Sequence, residues 1–367
     1  MKKSFIAMLA SLVLALCLAV PALGEQAMSD DWRDFTVELC GSVYALPLPV
    51  QTLVDDGWTI DLGDEVLEPN SYMLSTPMER DGARVYVQVI NLGIDEMAAA
   101  DCLVGQVSVD SYQAEDGASI TLAGGVTLGS TMEQITAAYG AAGDTYEGSS
   151  STRLTYSLGS YREMTLSVDN ETGALSSVEV QNFEAPEGYN DEALAAPVEV
   201  PESVTAYQAP EDLGDDLLSF NIKLNGQLYC LPAPFAAFEA NGAMLTSAPE
   251  GKLSARASVF GVEMNMGGAT LRTALYNDSP KANIAENCMV CKIEAREGEG
   301  VTLELPGGIT IGTTHDELKD ALEGLEYELY EGSGYTSYTL SKDMQEVAIL
   351  VDSETGLVYD ISVEYLP

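Results

Sequence analysis

The feature that most constrains the fold is an internal repeat. Four segments of the first half recur in the second half in the same order, each at a spacing of about 183 to 185 residues. The matched pairs are residues 35–47 and 220–232, residues 124–131 and 307–314, residues 146–149 and 330–333, and residues 168–173 and 351–356. Four collinear matches are typical of gene duplication, so we expect one structural unit written twice in tandem.

The repeat also predicts the domain boundaries. We expect a first module over residues 25–185 and a second module over residues 217–367, each long enough to bury its own core. Residues 186–216 between them are acidic and rich in Pro and Ala, without periodicity, which is typical of an extended linker. The copies act as an internal control, because a residue that the shared fold needs is expected in both.

Each copy carries patterns of short helices and alternating strands. A predicted helix follows Pro49 in the first copy and Pro234 in the second. Later helices begin at capping boxes, which are Ser130 with Glu133 and Thr313 with Asp316. Apolar residues alternate over residues 164–168 and 347–351, as in half-buried strands. The predicted fold class is α+β: two tandem homologous modules, each with a small antiparallel sheet and one or two short helices.

The amino terminus has the layout of a secretory signal. Two lysines start the chain, residues 5–20 carry no charge, and small residues follow up to Gly24. We therefore expect a signal peptide over residues 1–24 and a location outside the cytoplasm, either secreted or in the cell envelope. Cleavage after Gly24 is the main expectation, and lipidation at Cys17 is the alternative. No later segment is long and apolar enough to span a membrane.

The charge bounds the class of partner. The formal net charge of −42 repels nucleic acid and anionic lipid and favours a cationic protein or peptide. The alternative interpretation is that the acidic surface only keeps the protein soluble.

A short motif around the second helix resembles a known group. Gly129, Thr131, Ile135 and Gly140 are similar to the Gly-x-Thr-x-x-x-Val-x-x-x-Leu-Gly pattern of the β-lactamase-inhibitor-protein-like group, to which small outer-membrane assembly lipoproteins are related. The second copy fits at the equivalent positions but has Glu323 in place of the final glycine. The resemblance implies helix-on-sheet units in tandem that act by protein–protein contact without catalysis.

Five cysteines remain after the predicted signal peptide. Export favours disulfides, and each copy places one cysteine on its first strand pair and another about 60 residues later. We expect the pairs Cys40–Cys102 and Cys230–Cys291, which leave Cys288 free, with Cys230–Cys288 as a rival pairing. The C-x-x-C spacing of Cys288 and Cys291 does not indicate a zinc or redox site, because in a strand the two thiols point to opposite faces.

Two further features indicate structure more than chemistry. His315 is the only histidine, and we interpret it as a solvent-facing residue at a helix start. Residues 169–173 and 352–356 resemble part of a calcium loop, but Asp, Asn and Gly are also what a tight strand connection needs, and weak calcium binding stays open. No metal site, cofactor or catalytic residue is predicted.

Tyrosines are the candidate binding residues, because tyrosine carries much of the binding energy at protein interfaces. The candidates are Tyr146, Tyr156, Tyr330, Tyr335 and Tyr338. The alternative is that they are half-buried strand residues. We therefore expect a non-enzymatic, extracellular or envelope-associated protein-binding protein. The alternatives are a structural envelope component without a discrete ligand and an extracellular hydrolase whose site has no recognisable motif.

Overall fold

The computed structural model describes residues 27–366. The predicted signal peptide over residues 1–24, with Cys17, therefore lies outside the described residues. In the part of the chain that is described, no helix is long and apolar enough to cross a membrane.

The chain is mostly β structure, so the predicted α+β class with small sheets is wrong. Strands account for 44% of the residues and helices for 17%. The α-helices are α1 (Val50–Asp55), α2 (Ser111–Glu115), α3 (Met132–Tyr139), α4 (Asp191–Ala195), α5 (Glu202–Ala206), α6 (Phe235–Glu239) and α7 (His315–Ala321). Short 3-10 helices lie at Trp32–Asp34, Ala99–Asp101, Ala123–Gly125, Leu217–Ser219, Ala285–Asn287 and Pro306–Gly308.

The strands divide between the two halves of the chain. Those of the first half are β1 (Thr36–Leu39), β2 (Ser42–Ala45), β3 (Leu48–Pro49), β4 (Thr59–Ile60), β5 (Val66–Leu67), β6 (Tyr72–Arg80), β7 (Ala83–Ile90), β8 (Met97–Ala98), β9 (Leu103–Asp110), β10 (Ile120–Leu122), β11 (Asp144–Glu147), β12 (Ser151–Ser157), β13 (Arg162–Asp169) and β14 (Leu175–Asn182). Those of the second half are β15 (Asn221–Leu224), β16 (Gln227–Cys230), β17 (Ala233–Pro234), β18 (Ala243–Leu245), β19 (Lys252–Leu253), β20 (Ser258–Met266), β21 (Ala269–Tyr276), β22 (Asn283–Ile284), β23 (Met289–Arg296), β24 (Leu303–Glu304), β25 (Glu328–Glu331), β26 (Tyr335–Lys342), β27 (Gln345–Asp352) and β28 (Val358–Tyr365).

Each half builds a nine-stranded and a three-stranded antiparallel sheet. The first large sheet has the order β11-β12-β13-β14-β9-β7-β6-β4, with β3 paired to β9. The second has the order β25-β26-β27-β28-β23-β21-β20-β18, with β17 paired to β23. The small sheets are β10-β1-β2 and β24-β15-β16, and two-stranded ribbons join β5 to β8 and β19 to β22. The strand order is thus the same in both halves.

One face of each large sheet is buried and the other is polar. In the first half the predicted alternation over residues 164–168 is confirmed, because Met164, Leu166 and Val168 all lie in the core. The small sheet and α3 cover this face, since Val37 and Ile135 belong to the same core cluster. The opposite face of β13 carries polar, half-buried side chains. We call the covered face the inner face and the polar one the outer face.

Helices α3 and α7 begin one residue later than predicted. Thr131, and not Ser130, caps α3: its N–H donates to Gln134 Oε1 (2.8 Å), and its hydroxyl accepts from the Gln134 N–H (3.3 Å). Thr314 and Glu317 form the same capping box for α7. Each copy has two adjacent hydroxyl residues before the helix. The second one is the cap because a Gln or Glu three residues after it completes the capping box.

The segment over residues 186–216 is packed against both halves and is not an extended linker. It contains α4 and α5. Asn190 Nδ2 donates to the Leu92 carbonyl oxygen in the first half (3.2 Å). From the second half, Lys252 Nζ donates to two carbonyl oxygens of the segment, each at 2.7 Å.

The halves also contact each other directly. The Asp95 carboxylate accepts hydrogen bonds from the Ala282 N–H (2.7 Å) and from Lys281 Nζ (3.1 Å). Next to it, Glu96 pairs with Arg256 at 2.6 Å. These contacts involve a charged side chain from each half, so the packing between the halves is specific.

A polar cluster in the first half has only a partial counterpart in the second, where Asn241 Nδ2 donates to the Tyr229 hydroxyl (3.0 Å). Tyr44 donates a hydrogen bond to Asp56 and accepts one from Trp58 Nε1 (2.9 Å). Arg80 pairs with Asp56 at 2.6 Å, and its guanidinium lies 4.6 Å from the Trp58 ring centroid. Met266 holds the same register position in β20 that Arg80 holds in β6. The ion pair between Arg80 and Asp56 is therefore special to the first copy.

Candidate functional site

The expected disulfides are not formed in this structure. Within residues 27–366, all five cysteines are free thiols. The Cys102 thiol donates to the Ala98 carbonyl oxygen (3.4 Å) at the start of β9, whereas Cys40 lies in the turn between β1 and β2. The pair Cys40–Cys102 is therefore not formed: Cys102 contacts the Ala98 carbonyl oxygen, and Cys40 lies beside the Ser119 carbonyl oxygen.

The second-half cysteines are also engaged separately. Cys288 donates to the Ile284 carbonyl oxygen (3.3 Å), and Cys291 donates across to the Ala274 carbonyl oxygen of β21 (3.4 Å). The Cys230 thiol donates to the Ser219 carbonyl oxygen (3.6 Å). Neither Cys230–Cys291 nor the rival Cys230–Cys288 is present. Burial raises the pKa of three thiols to about 12; these are Cys102, Cys288 and Cys291. We therefore expect these buried thiols to react slowly with oxidants and metals at neutral pH.

Two of the five candidate tyrosines are core residues. Tyr156 is buried, and its hydroxyl donates to the Gly140 carbonyl oxygen (3.2 Å). Tyr338 is buried too, with its hydroxyl 2.6 Å from His315 Nε2. The prediction that they bind a partner is wrong, because both point to the inner face, under α3 and α7. His315 is correspondingly half-buried and not solvent-facing, and burial lowers the pKa of its imidazole.

The other three candidate tyrosines lie where each large sheet ends. Tyr146 is on β11 and Tyr330 is on β25, the first strands of the two sheet orders, and they are 65% and 60% exposed. Tyr335, on β26, is half-buried, with its ring centroid 5.7 Å from that of Tyr330. The structure therefore brings Tyr330 and Tyr335 together at one open edge and places Tyr146 at the equivalent edge.

An exposed apolar strip in and before β25 is not among the predicted binding residues. Leu325, Tyr327 and Leu329 are 41%, 41% and 52% exposed. Tyr327 packs edge-on against the buried ring of Tyr338, with centroids 5.2 Å apart, which places the strip on the inner side of the edge. The signal that could have found it is the strict alternation of large apolar residues with glutamate from residue 325 to 329. We call residues 325–331 the β25 edge.

The β25 edge is strongly acidic. Glu326, Glu328 and Glu331 lie within it and are exposed, and Glu323 just before it is exposed as well. A row of carboxylates beside unpaired backbone groups attracts a cationic chain and repels an acidic one.

The equivalent edge of the first half is less suited to binding. Along β11, Thr145 takes the place of Leu329 and Gly143 takes the place of Tyr327, so Tyr146 is the one large side chain of that strand. The Gly143 N–H is bonded to the Thr155 carbonyl oxygen of the neighbouring strand (2.9 Å). The two edges share a backbone and differ in side-chain chemistry.

An open cleft of about 600 Å³ in the first half lies between α2 and the turn after β13, with Asp169 and Glu171 in its lining. The Asp169 carboxylate accepts hydrogen bonds from the Thr172 N–H and hydroxyl, both 2.8 Å, and these bonds lower its pKa. That confirms the turn interpretation. Across the described residues, no group of three or more His, Cys, Asp or Glu side chains could hold a metal ion.

Comparison with protein-family models, with curated proteins and with solved structures gives no match for this chain. The similarity to the β-lactamase-inhibitor-protein-like group thus rests on the residue pattern and stays a prediction.

Proposed function

We propose that this protein is a non-enzymatic binding protein of the cell exterior or cell envelope, and that it binds a protein partner at the β25 edge. The observation that carries the proposal is the coincidence of a terminal strand with exposed Leu325, Tyr327, Leu329 and Tyr330 at one edge of a large sheet. Soluble proteins usually protect such edges with short strands, lysine, proline or a covering loop.

The chemistry of the edge supports binding. Two leucines and two tyrosines of the edge are each more than 40% exposed, and tyrosine is enriched among residues that dominate binding energy. The edge rests on a rigid base, because Tyr327 contacts the buried Tyr338, which itself is held by His315. A preformed surface loses little conformational freedom on binding.

Site-specific cross-linking in the native cells tests the proposal. A photoreactive phenylalanine analogue replaces Tyr330 in one variant and Tyr146 in a matched control. We expect a discrete covalent adduct with one protein from position 330 and a much weaker one from position 146. The captured protein, identified and purified, is expected to bind the full chain and to bind Leu329→Thr about ten-fold more weakly.

The control substitution is Thr145→Leu, which makes the reverse change on β11 and should leave the affinity within about two-fold. If position 330 gives no adduct above background, or if Leu329→Thr binds the purified partner as tightly as the unchanged protein, the proposed function is wrong.

A further inference from the structure

We infer that the partner presents an extended cationic segment in which apolar and basic residues alternate, and that this segment adds to β25 as a further strand of the second large sheet. The inference deepens the proposed function and rests on it. Three observations carry it: the direction of the backbone groups, the two faces of the edge, and the sign of its charge.

The backbone of the β25 edge has groups that point away from the sheet. The Gly332 N–H bonds the Tyr335 carbonyl oxygen at 2.8 Å, which closes the turn into β26. Hydrogen-bonded and non-bonded pairs alternate in an antiparallel ladder, so the Tyr330–Ser337 pair is bonded and the Leu329–Tyr338 pair is not. The N–H and C=O groups of Leu329 and Glu331 therefore face outward, where a new strand would bond them.

The side chains of the edge divide between the two faces. Leu329 lies opposite the buried Tyr338, so it belongs to the inner face. Glu328 lies opposite Thr339 and Tyr330 opposite Ser337, so both belong to the outer face. An added strand would place every second side chain against the apolar strip and the others beside Glu328 and Tyr330. The complementary sequence alternates apolar and basic residues.

Charge selects a cationic segment over a second copy of this chain. Two β25 edges placed side by side would bring the exposed glutamates of both copies, Glu326, Glu328 and Glu331, onto adjacent strands, which is unfavourable. The formal net charge of −42 adds long-range repulsion between copies and attraction for a cation. Lysine or arginine beside Tyr330 also gains a cation–π contact.

Binding of defined peptides to the full chain tests the inference. The probe is a fluorescent nine-residue peptide that alternates lysine with valine and tyrosine. One comparison peptide has the same composition with all lysines grouped at one end, and another has glutamate in place of lysine. We expect the alternating peptide to bind at least about ten-fold more tightly than either, and raising the salt concentration from about 50 to 500 mM to weaken it several-fold.

Amide hydrogen exchange shows whether a strand is added. The alternating peptide should slow exchange of the Leu329 and Glu331 amides at least about ten-fold, with no change at Thr145 and Glu147 on the matched edge. Leu329→Thr should weaken peptide binding, and Thr145→Leu should not. Circular dichroism should show that both variants remain folded.

Three outcomes overturn the inference. Equal binding of the grouped-lysine peptide would mean that general attraction to an acidic protein is sufficient. Dimerisation of the chain that Leu329→Thr abolishes would make a second copy the occupant. If no peptide binds although position 330 still cross-links a partner, strand addition by a cationic segment is wrong and the proposed function stands.

Discussion

Replacing Arg80 with methionine tests whether the polar cluster of the first half stabilises its fold. The change is the one that the second half already contains, because Met266 holds the equivalent position. In the first half, however, the Arg80 side chain is only 12% exposed and donates hydrogen bonds that methionine cannot replace. Nη2 donates to the carbonyl oxygens of Leu39 (3.2 Å) and Cys40 (2.8 Å), and Nη1 donates to Asp56.

The expected loss of unfolding free energy is about 2 to 3 kcal/mol. Hydrogen bonds from a charged donor contribute roughly 1.5 to 3 kcal/mol each. Because Nη2 alone donates to both carbonyl oxygens, we count these two contacts as one such bond. Asp56 is 42% exposed and regains water, so the ion pair adds at most about 1 kcal/mol after screening. Methionine would offset part of this loss of unfolding free energy by burying apolar surface against Trp58.

Tryptophan fluorescence isolates the effect, because both tryptophans of the chain, Trp32 and Trp58, lie in the first half. Urea titration followed by this signal should show a lower midpoint for Arg80→Met. Arg33→Met is the matched control: Arg33 lies 5.0 Å from the Trp32 ring centroid but is exposed, so its loss should cost less than about 0.5 kcal/mol. A change for Arg80→Met no larger than that of the control would refute the reasoning.

Three other predictions concern single sites. A Cβ at Gly105 would lie 2.5 Å from the Phe183 ring, so Gly105→Ala should lower the unfolding free energy by about 1 to 3 kcal/mol in the same titration, while Gly143→Ala, whose Cβ would lie at an ordinary 3.5 Å from the Thr155 carbonyl oxygen, should not. The three buried thiols should react slowly with a thiol reagent at pH 8 in the native chain, and all five thiols should react after denaturation without reductant. If only one thiol reacted after denaturation, the chain would contain two disulfides. NMR titration of His315 should give a midpoint below 6.5, because burial disfavours its charged form. Since the folded pKa is the lower one, His315 removes stability as the pH falls through 6.5, and a midpoint at or above 6.5 contradicts this.

Local patterns in the sequence predict local structure well here. The alternation at Met164, Leu166 and Val168 places them correctly on a buried face, and Pro49 and Pro234 do precede helices. The sequence alone does not identify the cap of α3, because Ser130 and Thr131 both offer a hydroxyl and only the Gln134 contact decides between them.

The size of the sheets could not be read from local patterns. In the first half, β14 pairs with β9, about 70 residues earlier in the chain, and β9 then pairs with β7. Strand periodicity shows which face of a strand is buried but not which strand lies beside it. That is why the sequence predicts one small antiparallel sheet in each module, whereas each half forms a nine-stranded sheet.

Burial of the tyrosines depended on the same long-range pairing. Tyr338 and Tyr330 are eight residues apart and both lie on strands, yet one is 3% and the other 60% exposed. The difference has two causes, the face to which each side chain points and the place of its strand in the sheet. Tyr338 points to the inner face from β26, which has a neighbouring strand on each side. Tyr330 points to the outer face from β25, which has only one neighbouring strand in the described sheet. The sequence shows which side chains of a strand share a face, but it does not show which strand lies at the end of the sheet.

Comparison of the two copies separates what the fold requires from what binding could use. Phe35 and Phe220 both adopt a positive φ, 50° and 58°, before the first strand of their halves, so this backbone geometry belongs to the shared scaffold. The sheet edges keep the backbone and Tyr146 or Tyr330, but residue 329 is leucine where residue 145 is threonine. An exposed leucine on a terminal strand adds nothing to the core and increases the risk of aggregation. Its presence in one copy alone is therefore better explained by a contact made outside the chain than by the needs of the fold.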